Sequence, residues 1–110
     1  MLRLPGLPGL VLVRTTLPSR PAAERLAQRL VDENLAACVH ITQTSSVYRW
    51  KGKRLQETEF TVEARTTAAN RRKVTAAVLD GHPYDVPLVE SWPVGDVPSP
   101  YLAWVKAQVA

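Results

Sequence analysis

Cys38 and His40 are the residues of this chain whose types and spacing best suit metal chemistry. They stand two positions apart, and Cys38 is the only cysteine among the 110 residues. Alternate side chains of a β-strand point to the same face, so a strand here would place the thiol beside the imidazole. Such a pair favours soft or borderline ions, above all Cu(I) and also Zn(II). Two ligands do not complete a site, and His82 is the candidate for a third.

A packing role is the alternative for the same residues. Free cysteine behaves as a small apolar residue in protein cores, and His40 would then be a hydrogen-bonded polar residue beside it. A lone cysteine also excludes a disulfide within the chain, which suits a reducing compartment. The residues by themselves leave both interpretations open.

Other activities find less support. The segment Tyr48–Arg54 interleaves aromatic and cationic residues, as single-strand nucleic-acid binders do, but it also fits the solvated tip of a hairpin. The chain has no nucleophile elbow, phosphate-binding glycine loop or paired cysteines, and a thiol in mid-strand is poorly placed as a nucleophile. We therefore expect neither nucleic-acid binding nor catalysis.

The elements that must position these residues follow from apolar periodicity. Strands are predicted over residues 10–16, 35–43, 56–66 and 88–93, and residues 46–50 continue the second strand after an irregularity. A turn is predicted at 51–53. One helix should lie between Ser19, as its cap, and Asn34, as its stop. A second should span residues 68–80 before Gly81, and a last one should begin at Ser99.

This order predicts an α+β protein with the split βαβ arrangement of ferredoxin-like folds and an extra C-terminal helix. Residues 10–110 would form one domain behind a disordered tail over residues 1–9. Two helices would cover one sheet face, leaving Tyr48, Trp50 and Trp92 for the other, where self-association would remove them from water.

The composition and the apolar runs of the chain bear on its partners and its cellular compartment. The net charge of +4 permits attraction to anions without demonstrating it. No apolar run approaches the roughly 18 residues of a membrane helix. The start of the chain does not read as a signal peptide. We expect a cytoplasmic protein with no membrane contact.

Several short motifs occur in a fixed order. They are Asn34–Val39 (NLAACV), Val47–Lys53 (VYRWKGK), Glu59, Arg65–Thr67 (RTT), His82–Pro87 (HPYDVP), Pro93–Val94 and Tyr101–Val105 (YLAWV). By these motifs the chain, from about residue 10 to its C-terminus, resembles the CutA family of divalent-cation tolerance proteins. The resemblance implies a homotrimer similar in architecture to PII signalling proteins, a role in divalent-cation tolerance with copper as the leading candidate ion, and no enzymatic activity. We expect no metal to be required for folding.

A cleft between subunits is a second candidate site. The resemblance implies Tyr48, Trp50, Glu59 and Arg65 as residues of this cleft, and Lys51 and Tyr84 are expected beside them. An alternative function is therefore a PII-like trimer whose clefts bind a small anionic ligand through Lys51, Arg65 and His82. The alternative to a ligand cleft is that Trp50 and Tyr84 are buried in the subunit interface as packing residues. The chain departs from the family at Leu88, where glutamate is typical, and at Glu90-Ser91-Trp92, where an aliphatic strand is usual.

Overall fold

The strands form one antiparallel sheet in the order β2-β3-β1-β4 in the computed structural model, which describes residues 9–110. The elements are β1 (Leu10–Leu17), α1 (Arg20–Asp32), β2 (Cys38–Trp50), β3 (Lys53–Thr67), a 3₁₀ turn (Ala68–Asn70), α2 (Arg71–Leu79), β4 (Val89–Pro93) and α3 (Ser99–Gln108). This arrangement confirms the predicted α+β, ferredoxin-like fold. The predicted tail over residues 1–9 lies, apart from Gly9, outside the described residues.

One sheet face carries the hydrophobic core. Val13 of β1 and Ala64 of β3 pack there against Leu30 of α1 and Val74 of α2, and none of these side chains is more than 1% exposed. Alternate residues of each strand point to the opposite face, which α1 and α2 leave uncovered. We call this second face the open face. Among residues 9–110, no helix is long and apolar enough to cross a membrane.

The predicted irregularity in β2 is wrong. Residues 38–50 form one uninterrupted strand that pairs with β3 along its whole length, from Cys38 opposite Arg65 to Trp50 opposite Lys53. The hydroxyls of Thr44 and Thr61 hydrogen-bond across the two strands where the break was expected. Polar β-branched residues can continue a ladder without apolar alternation, which is why periodicity alone did not reveal the strand there.

β2 begins at residue 38 rather than at the predicted 35, and β3 begins at 53 rather than 56. Local backbone signals marked three other boundaries correctly. Lys51 and Gly52 have φ angles of 50° and 78° and form the two-residue turn between β2 and β3. The Ser19 hydroxyl accepts a hydrogen bond from the Ala22 N–H and caps α1. Gly81 has a φ of 73° just after α2, as expected of a residue that ends a helix.

Candidate functional site

Cys38 and His40 lie next to each other on the open face, as predicted. The Cys38 side chain is half-buried and His40 is exposed. Nη1 of Arg65 lies 2.9 Å from Nδ1 of His40. Because a guanidinium only donates, Nδ1 must be the acceptor, which puts the proton of the neutral imidazole on Nε2. Coordination of a metal by His40 would require this pair to rearrange.

His82 lies on the other side of the sheet. Its Nε2 is 3.1 Å from the hydroxyl of Thr15, a residue of the helix-covered face that is 1% exposed. Its Nδ1 accepts a hydrogen bond from the Tyr84 N–H at 3.2 Å. Burial lowers the pKa of His82, so the ring is neutral at pH 7. The sheet therefore separates His82 from Cys38 within one chain, and no three His, Cys, Asp or Glu residues of the described chain are placed to hold a metal.

A cavity of about 530 Å³ opens between the sheet and the loop that follows α2. The sheet contributes open-face residues of three strands, namely Thr16, Ser46, Tyr48, Trp50 and Glu59. The loop and its continuation contribute Pro83, Tyr84, Asp85, Val86 and Leu88. Three aromatic rings and two carboxylates thus face one space.

Two tyrosine hydroxyls of the cavity lining donate to carboxylates, one to Glu59, which also lines the cavity, and one to Glu57, which does not. The Tyr84 hydroxyl donates to Oε2 of Glu59 at 2.7 Å, and the Tyr48 hydroxyl donates to Oε1 of Glu57. The Glu57 hydrogen bond raises the pKa of Tyr48 to about 12. Burial, followed by the bond to Glu59, raises the pKa of Tyr84 still further. Both phenols therefore stay protonated and keep donating at any physiological pH.

Four residues expected in a cleft between subunits line this cavity within one chain. Tyr48, Trp50, Glu59 and Tyr84 line the cavity together, but Lys51 and Arg65 do not. Lys51 is in the hairpin turn, and Arg65 is six residues from Glu59 along β3, roughly 20 Å away at the rise of a strand. The predicted cationic lining is therefore absent from this cavity.

Some residues that line the cavity were not predicted from the sequence. Ser46 shares the parity of Tyr48 and Trp50 within the predicted strand segment 46–50, so alternation already places it on their face, but a serine there gave no sign of a binding role. Asp85 directly follows Tyr84, and nothing in the sequence shows that this loop folds onto the sheet. Leu88 was noted only as a departure from the family, and its side chain, 43% exposed, forms part of the rim.

A separate groove of about 430 Å³ lies between the start of α1 and the end of α2. His82 lines this groove, beside Arg25 and Arg29. The Arg29 guanidinium is already engaged by Glu33 at 2.9 Å and Asp80 at 3.0 Å. Arg29 is therefore held in intramolecular ion pairs, and the groove lies on the helix side of the sheet, with Pro83 shared between its lining and that of the open-face cavity.

Arg14 lies on the open face and contacts three side chains there. Its guanidinium donates to Glu90 from Nε at 2.8 Å, contacts Glu63 at 3.3 Å and lies 4.8 Å from the centre of the Trp92 ring. Glu90 and Trp92 belong to the segment Glu90-Ser91-Trp92, which departs from the family pattern. Both contact the same arginine, so the departures form one cluster of charge and cation–π interactions.

Comparison with known proteins gives concordant results. The sequence model of the family described as CutA1 divalent ion tolerance protein matches residues 11–108. The Divalent-cation tolerance protein CutA of Thermus thermophilus is 36% identical over 95 residues, which are 86% of this chain and 92% of that protein. The Protein CutA homolog of Xenopus laevis is 40% identical over 82% of this chain, and the chain spans only 60% of its length. The structure of CutA from Synechococcus elongatus PCC7942 is 30% identical with a TM-score of 0.90, covering 97% of this chain and 95% of that one.

Proposed function

Because the chain belongs to the CutA1 divalent ion tolerance family, we propose that it is a homotrimeric, non-catalytic protein that binds copper through Cys38. The observation that carries this proposal is the position of the only thiol on the sheet face that α1 and α2 leave open. A half-buried thiol at that place can reach a ligand without disturbing the core. Thiolates prefer soft metal ions, and Cu(I) is the softer of the two candidate ions, Cu(I) and Zn(II).

Association of subunits would complete the metal site. One described chain offers Cys38 and, after rearrangement, His40, whereas Cu(I) and Zn(II) sites normally use more ligands. In a trimer with the open faces turned inward, further ligands would come from another copy. Exposed aromatic side chains support such association, since Tyr48 and Trp50 are 39% and 41% exposed in the single chain.

We place this function in the cytoplasm. A reducing compartment keeps the lone thiol available for metal. An anion-sensing role in PII-like clefts gains no support from the cavity, because Lys51, Arg65 and His82 all lie outside its lining. A catalytic role gains no support from the surroundings of the thiol, because Cys38 stands at the start of β2 and the nearby His40 is engaged by Arg65 through Nδ1.

An anaerobic Cu(I) competition titration tests the proposal. We expect Cys38→Ala to weaken Cu(I) affinity at least 100-fold, with light scattering giving three times the chain mass of 12.2 kDa for wild type and variant. Thr42→Ala, a change on the same strand and face, is the matched control and should leave affinity unchanged. Unchanged binding in Cys38→Ala would remove Cys38 as the site, and a monomeric mass would remove the shared trimer site.

The Arg65→Ala variant tests whether His40 is a metal ligand. If His40 joins Cys38 as a ligand, releasing Nδ1 from Arg65 should strengthen Cu(I) binding several-fold. His40→Ala should then cancel that gain. An Arg65→Ala protein with wild-type affinity would show that His40 takes no part.

A further inference from the structure

Residues 49–54, at the turn between β2 and β3, form a strongly basic segment that we call the basic tip. Four of its six residues are cationic, namely Arg49, Lys51, Lys53 and Arg54, and all six are exposed. None of these cations forms an ion pair in the part of the chain that the structure describes. Arg49 stands directly opposite Arg54, and like charges facing each other across two strands are destabilising. The basic tip therefore carries positive charge that its own chain does not neutralise.

The open-face cavity carries the opposite charge. Its charged lining residues are Glu59 and Asp85, and its lining includes no lysine, arginine or histidine. Glu59 is only 9% exposed and accepts a hydrogen bond from Tyr84, yet it forms no ion pair with a described residue. Carboxylates are rarely buried without a partner of opposite charge. The missing partner of Glu59 therefore points to a cation from outside the chain.

A neighbouring copy of the chain can supply that cation. We propose that the basic tip of one copy inserts into the open-face cavity of the next, so that one of its cations pairs with Glu59. This inference rests on the homotrimer of the proposed function and is independent of copper binding at Cys38. The cations of the basic tip do not line the cavity of their own chain, so they are free to reach another.

The symmetry of a trimer requires contacts of this kind. In a ring of three identical copies, each contact joins two different surfaces of the chain, because only a twofold contact joins a surface to itself. The basic tip and the open-face cavity are two such surfaces. Their opposite charges make them complementary, and they would also fix the orientation of the copies within the ring.

The shape of the hairpin supports the same contact. Within the described chain, β1 pairs with β3 only up to Phe60. Beyond that point residues 53–59 pair with residues 44–50 alone, and this two-stranded ribbon extends roughly 20 Å past the four-stranded sheet. Such a ribbon is at best marginally stable by itself in water. Val47 and Trp50 point to its two faces and are 57% and 41% exposed, so contact with another copy would bury apolar surface.

Dissociation of the trimer in urea tests the inference, because urea leaves ionic contacts unscreened. Light scattering at one fixed chain concentration follows the loss of trimer mass. The tip variant removes three cations: Lys51→Gln, Lys53→Gln and Arg54→Gln. The matched control removes the same charge from the exposed start of α2: Arg71→Gln, Arg72→Gln and Lys73→Gln. We expect the urea midpoint to fall by about 1 M in the tip variant and not to fall in the control. A tip variant with the wild-type midpoint would overturn the proposal.

Glu59→Gln tests whether Glu59 is the partner of the basic tip. Glutamine keeps an oxygen that can accept the Tyr84 hydroxyl and removes the charge. Glu59→Gln alone should lower the urea midpoint, and adding the tip changes to it should lower the midpoint little further, since both remove one contact. Losses that simply add would show that the tip and Glu59 act separately, against the proposal.

Charge reversal on separate chains tests whether the contact joins two copies. One chain carries Glu59→Lys, and the other carries Lys51→Glu, Lys53→Glu and Arg54→Glu. Each chain alone brings like charges together, whereas each offers the other a complementary surface. We expect the two chains refolded together to form trimer that neither forms alone. No gain on mixing would rule out pairing between copies. A monomeric wild type would overturn the proposed trimer itself, so the two failures are distinguishable.

Discussion

The hydroxyl of Tyr84 donates a 2.7 Å hydrogen bond to Oε2 of Glu59, which joins the loop after α2 to the middle of β3. The two residues are 25 positions apart in the sequence, and the bond holds the loop over the open face. A hydrogen bond to an ionised group in a buried position is among the stronger ones in proteins. This contact therefore stabilises both the loop and the cavity that the loop closes.

Removing this hydroxyl should destabilise the protein. Tyr84→Phe leaves the buried Glu59 carboxylate without its donor, so we expect the free energy of unfolding to fall by about 1–3 kcal/mol. Tyr48→Phe is the matched control, since its partner Glu57 is exposed and can turn to water, and it should cost less than about 0.5 kcal/mol. Guanidinium unfolding at one fixed protein concentration measures both. Equal losses in the two variants would show that burial of Glu59 does not matter.

Acidic pH should lower the free energy of unfolding, in part through protonation of His82. The pKa of His82 is lowered by burial, so the unfolded chain takes up this proton at a higher pH than the folded one. Stability from this group is complete above the unfolded pKa of about 6.5 and is lost as pH falls through the lower folded pKa. Protonated Nδ1 also cannot accept the Tyr84 N–H.

His82→Asn supplies the test, because its amide oxygen can accept the same N–H and does not titrate. Between pH 7 and pH 5 we expect the wild type to lose more unfolding free energy than His82→Asn. Parallel stability curves for the two proteins over this range would contradict the assignment. Other titrating groups are common to both proteins and cancel in the difference.

The hairpin turn should depend on glycine at one position. Gly52 has a φ of 78°, and a Cβ there would meet no other atom within 4 Å, so the cost of Gly52→Ala comes from the backbone alone. We expect it to lower the free energy of unfolding by about 1–2 kcal/mol. Gly95→Ala, also in open space but without a positive φ, should be neutral or slightly stabilising. Urea or guanidinium unfolding of the pair checks this, and equal effects would refute the conformational explanation.

The Arg14–Glu90 pair should show a salt-dependent coupling. Both side chains are about 40% exposed, so solvent screening limits their interaction, and a double-mutant cycle with Arg14→Met and Glu90→Gln should give about 1 kcal/mol. In 1 M NaCl the coupling should shrink, because exposed ion pairs are screened. A coupling near zero at low salt would mean that the contact is incidental. The Arg29–Asp80 pair, which is more exposed, should couple more weakly in the same assay.

Much of the fold was predictable because its signals are local. On β3, Phe60, Val62 and Ala64 alternate with Glu59, Thr61, Glu63 and Arg65, and this period-two pattern is enough to assign the first three to the core face. The Ser19 cap and the glycine at 81 marked helix ends through backbone chemistry that involves only near neighbours. The centre of β2, where a break was predicted, lacks apolar alternation and is held by pairing with β3, which the sequence of β2 does not encode by itself.

Prediction of the candidate sites depended both on local strand geometry and on contacts between distant parts of the chain. Period-two geometry was enough to put Cys38 beside His40, since it follows from neighbouring positions on one strand. It could not show that Arg65 would bind His40, or that His82 would lie behind the sheet against Thr15. Those outcomes depend on which strands are neighbours and on the path of the loop after α2.

The sequence by itself therefore determined which residues share a face, because strand and turn geometry repeat over a few residues. Only the tertiary structure decided which faces and loops meet. The loop at 82–88 crosses the end of β1, places His82 on the core side and brings Tyr84 to Glu59 on the open side. That path gives the cavity two carboxylates, Glu59 and Asp85, while Lys51 and Arg65 stay outside its lining. The physical reason is that a loop settles where its distant hydrogen-bonding and packing partners lie, and no pattern within the loop specifies those partners.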